Sequence, residues 1–319
     1  MGVLACFIVS RIDYRHYFQW SPFFLLFCIV LLLAVFIPGL GLRAYGAHRW
    51  LNARLFVIQP SELTKLAVVI YLSAWFSVKD RERLVSFLIL LGTIVGLVIF
   101  QPDMGTAIVL GLVGLTMFFL SDISVWKFCL LLAGGLPIGA LLALSSPYRL
   151  KRVLTFLNPE SDPLGSSYHI RQILIALGSG GLFGLGLGNS RQKYSYLPES
   201  TTDSIFAIIG EELGLVGVVG LLVIFVSLIF LGIKLAQEET DDTFGQLLII
   251  GIISWIGIQT LVNIGSMLAL IPLTGVPLPF ISYGGSALVV QWVGVGIIFS
   301  VIKISRSQMK FSTAKFKKI

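Results

Sequence analysis

Charge is scarce in this chain, and acid is scarcer than base: 319 residues include 16 Asp and Glu against 23 Lys and Arg, and charged residues make up only 12%. With 56% hydrophobic residues and a mean hydropathy of +0.93, the composition excludes a soluble globular domain. Cysteine and histidine are equally sparse, three of each. Cys6, Cys28 and Cys129 lie far apart inside apolar runs, without CxxC spacing or a neighbouring histidine, which argues against a disulfide framework and a zinc site. His16, His48 and His169 are scattered and no HExxH occurs, which disfavours a histidine-based metalloenzyme. The first ten residues lack a basic n-region and a small-residue cleavage site, so they read as the tail of a spanning helix and not as a signal peptide.

What is abundant is apolar sequence. A chain in hydrocarbon must satisfy its backbone polar groups internally, so the long apolar runs predict an all-α, polytopic transmembrane helix bundle. Taking about 20 residues as one span, eight full spans fall near 22–41, 58–77, 84–100, 104–120, 125–145, 204–233, 246–271 and 286–303, with a partial span at the N-terminus. Residues 1–319 read as one integral membrane domain. The Gly-rich stretch 170–189 reads as a re-entrant or interfacial segment.

The connectors divide by charge. RIDYRHY (11–17), KDRERL (79–84), Lys127, Lys234 and the tail from Lys303 carry thirteen of the 23 basic residues, all on one side if the helices alternate. The positive-inside rule makes that side, and the C-terminus, cytoplasmic. The basic tail over 304–319 reads as an anchor to anionic lipid headgroups, so the net charge of +7 calls for no nucleic acid. The opposite, outer side holds the 42–57 connector, the QPD turn at 101–103, a long loop over 146–203 and PLTGVPLPFISYGG at 272–285.

Several polar groups stand out. Glu62 and Lys65 are three apart, on one helix face, at the start of a span; either Ser61 caps that helix and the two form a structural ion pair, or Lys65, with Arg49, meets an anionic headgroup. Asp103 reads as the cap of the next helix. The 146–203 loop carries Arg149, Lys151, Arg152, Arg171, Arg191 and Lys193 on the outer side, against the bias, and implies an acidic ligand at the membrane surface. GSGGLFGLGLG, 178–188, follows a helical pattern with no preceding strand, so it is no dinucleotide fingerprint. In YLPESTTDSIFAIIGEELG, 196–214, Asp203 can cap the following helix with Thr201 and Thr202. A cap does not account for Glu211 and Glu212, about 12 Å deeper along that helix, which need partners or a polar cavity. Asp203, at the mouth of such a cavity and opposite the basic loop, could serve as a general base.

GAHRW, QPSELTKLA, QPDMGTA, GSGGLFGLGLGNSRQKYSYLPESTTDSIFAIIGEELG and NIGSMLALIPLTGVPLPFISYGGSA together resemble the SEDS family, the shape, elongation, division and sporulation proteins, over about residues 11–303. The resemblance implies a peptidoglycan glycosyltransferase that polymerises lipid II, an undecaprenyl-pyrophosphate-linked disaccharide peptide, at the outer face of the bacterial cytoplasmic membrane. It places the family's candidate catalytic base on Asp203 and an activity-linked polar pair on Glu62 and Lys65. Arg191 to Glu199 look closer to the cell-division and sporulation branch than to the rod-shape branch. Against the family's ten spans, this chain is expected to lack the first and to begin inside the second. The resemblance further implies a class B penicillin-binding protein, a transpeptidase, and divisome or elongasome proteins as partners.

The implied reaction fits the residues already found: Asp203 would deprotonate the attacking sugar hydroxyl, while Arg49, Lys65, Lys151, Arg152, Arg191 and Lys193 would offset charge on the departing pyrophosphate. Glu199 joins them as a substrate-binding candidate. A single displacement would invert the anomeric centre. The residues single out no cofactor; a divalent cation could assist the chemistry, although no ligand cluster is evident from spacing. Two other classes stay open: a lipid II flippase or other transporter with an acid-lined pathway, and a non-catalytic scaffold for a transpeptidase.

Overall fold

A computed structural model describes residues 1–44, 47–52, 57–78, 84–121, 125–158, 165, 167–193, 197–238, 240 and 242–316. Helix accounts for 73% of it, in 11 helices, with three short strands among the described residues. Among the described residues, four helices are long and apolar enough to cross a membrane, within Arg15–Ala34, Ile205–Glu238, Thr243–Met267 and Gly285–Ser307, and shorter apolar helices run over Leu84–Phe100, Met104–Phe119 and Val125–Gly135. The chain divides into two compact units. Residues 79–83, which hold the basic KDRERL turn, lie outside the described residues.

The first unit comprises Met1–Asp122, Leu228–Ile258 and Gly285–Ile319. It opens with α1 (Gly2–Val9) and α2 (Arg15–Ala34), followed by an antiparallel sheet in which β2 (Ala47–Asn52) lies between β1 (Gly41–Ala44) and β3 (Val57–Ile58). Next come α3 (Pro60–Ser77), α4 (Leu84–Phe100) and α5 (Met104–Phe119). Helix α3 is the most enclosed, with 14 of its 18 residues buried, and it packs against α2, α5 and α11 (Gly285–Phe316). Two of its buried hydroxyls are satisfied within the helix: Thr64 donates to the Pro60 carbonyl at 2.9 Å and Ser73 to that of Val69 at 2.7 Å. Where α3, α4 and α5 meet, Phe87 and Phe118 stack at 4.4 Å between ring centres, and Phe76 lies 6.0 and 6.1 Å from them.

The second unit comprises Ile123–Ser227 and Gln259–Gly284. It contains α6 (Val125–Leu144), α7 (Pro147–Leu157), α8 (Tyr168–Ser179), the first part of α9 (Ile205–Glu238), the last part of α10 (Thr243–Met267) and the segment after it. Its core joins Ile173 and Ala176 of α8, Leu197, Phe206, Ala207, Ile208 and Phe225 in and before α9, Ile264 and Met267 of α10, and Leu278. Four of its members, Leu197, Phe206, Ala207 and Ile208, belong to the 197–208 segment itself.

Two expectations need correction. The span expected at 22–41 is α2, which starts at Arg15 and ends at Ala34. Proline disfavours helix in the residue before it, Gly39 adopts φ 89°, and by Gly41 the chain is already in β1; the described residues of the 42–57 connector are sheet. The expected loop over 146–203 contains α7 and α8, beginning at Pro147 and Tyr168.

Among apolar neighbours and lipid, burial itself supplies little drive between helices, and close packing carries the association. Phe87→Ala, at a ring that is 0% exposed, should therefore cost about 2 kcal/mol, the cavity part of the usual large-to-small penalty. Leu88→Ala, at a side chain 45% exposed, should leave the melting temperature in detergent nearly unchanged.

Candidate active site

In the first unit, the Lys65 ammonium donates to Glu62 Oε1 at 2.8 Å, with both side chains 1% exposed. Lys65 Nζ also sits 5.7 Å from the centre of the Trp255 ring. Glu62 Oε2 and Ser61 Oγ are buried with no hydrogen-bond partner among the described residues. The expected Ser61 cap does not form. Gln59 occupies the cap position and Pro60 the first helical one, where its fixed φ suits the helix and its missing N–H is not needed. Asp103 does cap α5, accepting from Thr106 N at 3.2 Å and from Thr106 Oγ1 at 2.9 Å, and it takes a 3.3 Å bond from Gln59 Nε2. Arg49 donates to the carbonyls of Gln101, at 3.3 Å, and Pro102.

In the second unit, α9 is broken at Gly214, whose backbone (φ 65°, ψ −165°) is not helical. A break strands carbonyls before it and amides after it, and each stranded group in apolar surroundings costs free energy. The 180–186 segment satisfies both sets. Leu185 N and Gly186 N donate to the carbonyls of Glu211 and Glu212 at 3.0 Å each, while Leu215 N and Val216 N donate to those of Gly181 and Leu182 at 2.9 and 3.1 Å. Approach this close requires glycine: a Cβ on Gly184, already at φ 78°, would lie 2.1 Å from the Glu212 carbonyl oxygen.

The two acids of the EELG motif hold the rest of that loop. Glu211, 1% exposed, accepts from Ser190 Oγ, from Arg191 N at 3.1 Å and from Gln192 N at 3.3 Å. Glu212 accepts from Ser190 N at 3.3 Å and pairs with Lys193 at 2.9 Å. The expected partners of these two acids are therefore supplied by the SRQK segment itself. Lys193 is thereby engaged with Glu212, whereas the Arg191 side chain is exposed.

At the head of α9 the chain makes a tight turn. Glu199 adopts φ 52°, uncommon for a residue with a side chain. Its carboxylate accepts from Thr202 Oγ1 at 2.7 Å and its carbonyl from Ser204 N at 3.0 Å. Four consecutive residues of the turn are then held one by one. The Thr201 carbonyl accepts from Tyr283 N at 2.9 Å, that of Thr202 from Ser282 Oγ at 2.6 Å, and that of Asp203 from Asn263 Nδ2 at 2.9 Å. Ser204 Oγ shares a 2.9 Å hydrogen bond with His169 Nε2. Asp203 itself is half-buried, and its Oδ2 lies 3.1 Å from where a Cβ on Gly275 would stand. Since α9 starts at Ile205, it is Ser204, not Asp203, that immediately precedes the helix.

Arg152 belongs to the same constellation. Its Nη1 donates to the Leu273 carbonyl at 2.8 Å, in the strap that carries Gly275. Burial, with the charge of Arg152 added, pushes the His169 imidazole down to about 4, against an opposing pull from Glu199, so the ring is neutral at pH 7. Lys151 is exposed on α7. The second unit thus gathers Arg152, Glu199 and Asp203 around one turn and ties Lys193 and the Arg191 main chain to the α9 acids. Arg49, Glu62 and Lys65 belong to the first unit. Sequence reasoning missed His169, Asn263 and Ser282. Asn263, fully buried in an apolar helix, was the one with a visible signal, since a polar group there needs a partner. Among the described residues no three His, Cys, Asp or Glu side chains converge as metal ligands.

The family model for FtsW, RodA and SpoVE, described as cell cycle protein, matches residues 1–307. Stage V sporulation protein E of Bacillus subtilis (strain 168) is 42% identical over 312 residues, covering 96% of this chain and 85% of that protein. A probable peptidoglycan glycosyltransferase FtsW of Geobacter metallireducens is 38% identical over 309 residues, covering 94% of this chain and 82% of that one. Among solved structures, one described as "Structural coordination of polymerization and crosslinking by a peptidoglycan synthase complex" aligns with a TM-score of 0.78 at 28% identity, over 95% of this chain and 86% of that one. The rod shape determining protein RodA of Thermus thermophilus aligns with a TM-score of 0.69 at 27% identity, over 95% and 84%.

The unequal engagement of the two α9 acids gives a testable difference. Glu211→Ala orphans the buried Ser190 hydroxyl and two part-buried amides and should cost about 3 kcal/mol, whereas Glu212→Ala breaks a partly exposed pair worth about 1 kcal/mol or less. Thermal unfolding in detergent measures the difference, and trypsin should cut after Arg191 and Lys193 faster in the Glu211 variant only.

Proposed function

Because the chain belongs to the FtsW/RodA/SpoVE family of cell cycle proteins, we propose that this integral membrane protein is a peptidoglycan glycosyltransferase that polymerises lipid II at the outer face of the bacterial cytoplasmic membrane. Relatives named as probable peptidoglycan glycosyltransferases support the reaction class. The observation that carries the site assignment is the turn at 201–204, in which each residue is fixed by a separate hydrogen bond while the Asp203 side chain stays half-exposed. A base has to meet the incoming hydroxyl within hydrogen-bond reach, and a rigid main chain is what holds it there.

In this reading Asp203 removes the proton from the sugar hydroxyl of one chain. The freed oxygen bonds to the anomeric carbon of the other, the bond from that carbon to the pyrophosphate oxygen breaks, and undecaprenyl pyrophosphate departs with the bonding pair. One displacement inverts the anomeric centre. Charge develops on the pyrophosphate, and Lys151, Arg152 and Arg191 are the basic residues of the second unit proposed to meet it. Lys65 and Lys193 are committed to Glu62 and Glu212 and Arg49 to the 101–102 carbonyls, so we assign these three a supporting role. Glu199 shapes the turn that presents Asp203. A class B penicillin-binding protein is the proposed partner, in keeping with the similarity to a structure of a complex that couples polymerization and crosslinking.

Asp203→Asn should abolish polymer formation from labelled lipid II, read on gels, while the protein accumulates normally, because the four contacts that hold the turn do not involve its carboxylate. Wild-type polymer from that variant would remove Asp203 from the base role and favour a scaffold or a transporter.

Orientation is tested separately. A cysteine at Gly165 should react with a membrane-impermeant thiol reagent in intact cells and one at Ser312 should not. The reverse pattern would put residues 146–203 in the cytoplasm and exclude an outer-face polymerase.

A further inference from the structure

We propose that His169 is a positioning residue for the Asp203 carboxylate, acting through the hydroxyl of Ser204; this rests on the reading of Asp203 as the base. Three of the four bonds that fix the 201–204 turn come from α10 and the strap that follows it, and all three end on main-chain carbonyls. The fourth is different. It comes from α8, joins two side chains, and lands on the residue directly after Asp203. Ser204 is fully buried; its N–H is spent on the Glu199 carbonyl and its own carbonyl accepts from Ala207 N. The hydroxyl is therefore the handle by which the end of the turn is tied to a different helix.

The helix behind His169 is a firm support. Ile170, Ile173 and Ala176 of α8 are 1%, 0% and 0% exposed, and the last two pack into the same cluster as Phe206, Ala207 and Ile208 of α9. His169 thus bridges the polar ends of two helices whose apolar faces are already in register, and the Asp203–Ser204 peptide lies across that bridge. The charge state of the ring suits the role. An imidazolium beside Asp203 would favour the ionised carboxylate and make it a weaker base, whereas a neutral ring supplies one hydrogen bond and no charge, and burial and Arg152 keep it neutral. A displaced base loses rate steeply because proton transfer depends on a near-attack distance.

The experiment uses the purified full-length chain in lipid vesicles with labelled lipid II as the probe, and rates normalised to folded protein by thermal melting. His169→Ala should lower kcat by about tenfold to a hundredfold with KM changed less than about twofold, since substrate binding is untouched. His169→Gln, which keeps a donor and an acceptor at comparable reach, should restore kcat to within about threefold of wild type. Ser204→Ala should reproduce the His169→Ala loss, and the double variant should be no worse than either single one, because both remove the same bond. Wild-type kcat in His169→Ala beside an inactive Asp203→Asn would overturn the inference and leave the base assignment standing. Losses that multiply in the double variant would overturn it too, as would failure of Gln to rescue. If His169→Ala does not accumulate, Ser204→Ala decides: wild-type kcat there rejects the bridge. Activity in Asp203→Asn would instead remove the base reading on which the inference rests.

Discussion

The second unit depends on one broken helix. A helix in apolar surroundings cannot be interrupted cheaply, because the carbonyls before the break and the amides after it have no water to turn to. At Gly214 this chain makes the interruption and closes it with the backbone of 180–186, taking two bonds on each side. Gly180, Gly184 and Gly214 follow from the closure, since there main chain lies against main chain with no room for a Cβ. The result is a short first segment of α9, separated from the long apolar one, whose N-terminal end carries the 199–204 turn and whose C-terminal end carries Glu211 and Glu212. Position and support of the candidate site therefore come from the same short piece of helix.

That arrangement accounts for the acids in a chain with so few. A carboxylate buried without partners would be neutralised or expelled, and Asp103, Glu62, Glu211 and Glu212 each take at least one donor. Asp103 closes the start of α5, Glu62 holds Lys65, Glu211 gathers three donors from the SRQK segment, and Glu212 takes Lys193. Glu199 is spent on its own turn. The half-exposed Asp203 is held by its main-chain carbonyl, with its carboxylate over a glycine that leaves room for it. The chemistry proposed for it is in keeping with that half-exposed position.

Much of this was legible in the sequence, and the line between what was and was not is physical. Apolar runs bounded by Pro, Gly and charge located α3 to α6 within a few residues, because in lipid an apolar run has one stable form. The same rule failed at 22–41, where Pro38 and Gly39 were counted as part of a run that they end. The need of Glu211 and Glu212 for partners followed from cost alone; the identity of the partners did not, since residues 180–193 meet 211–216 only after folding. For the same reason the Gly-rich stretch could be rejected as a nucleotide loop without its use as a helix filler being visible. The pins on the 201–204 turn come from His169, Asn263, Ser282 and Tyr283, between 35 and 82 positions away in the chain. No local pattern ties such residues together, and His169 was passed over because a lone histidine in an apolar chain has no spacing to read.

The way the turn is held also bears on why it suits a base. Donors placed on a carboxylate fix it but stabilise its ionised form, which lowers its basicity along with its freedom. Here the four contacts fall on three carbonyls and a hydroxyl, groups that do not titrate in this range, so these four fix the main chain without themselves drawing on the carboxylate. The neutral state of His169 belongs to the same logic, because a charge one residue from Asp203 would undo what the carbonyl contacts avoid. Positive charge is instead carried by Arg152, which is itself tied to the Leu273 carbonyl, and by the exposed Lys151 and Arg191. Rigid supports around the base, with a cation brought to the same turn, are what a reaction needs when a proton leaves at one point and negative charge appears at another.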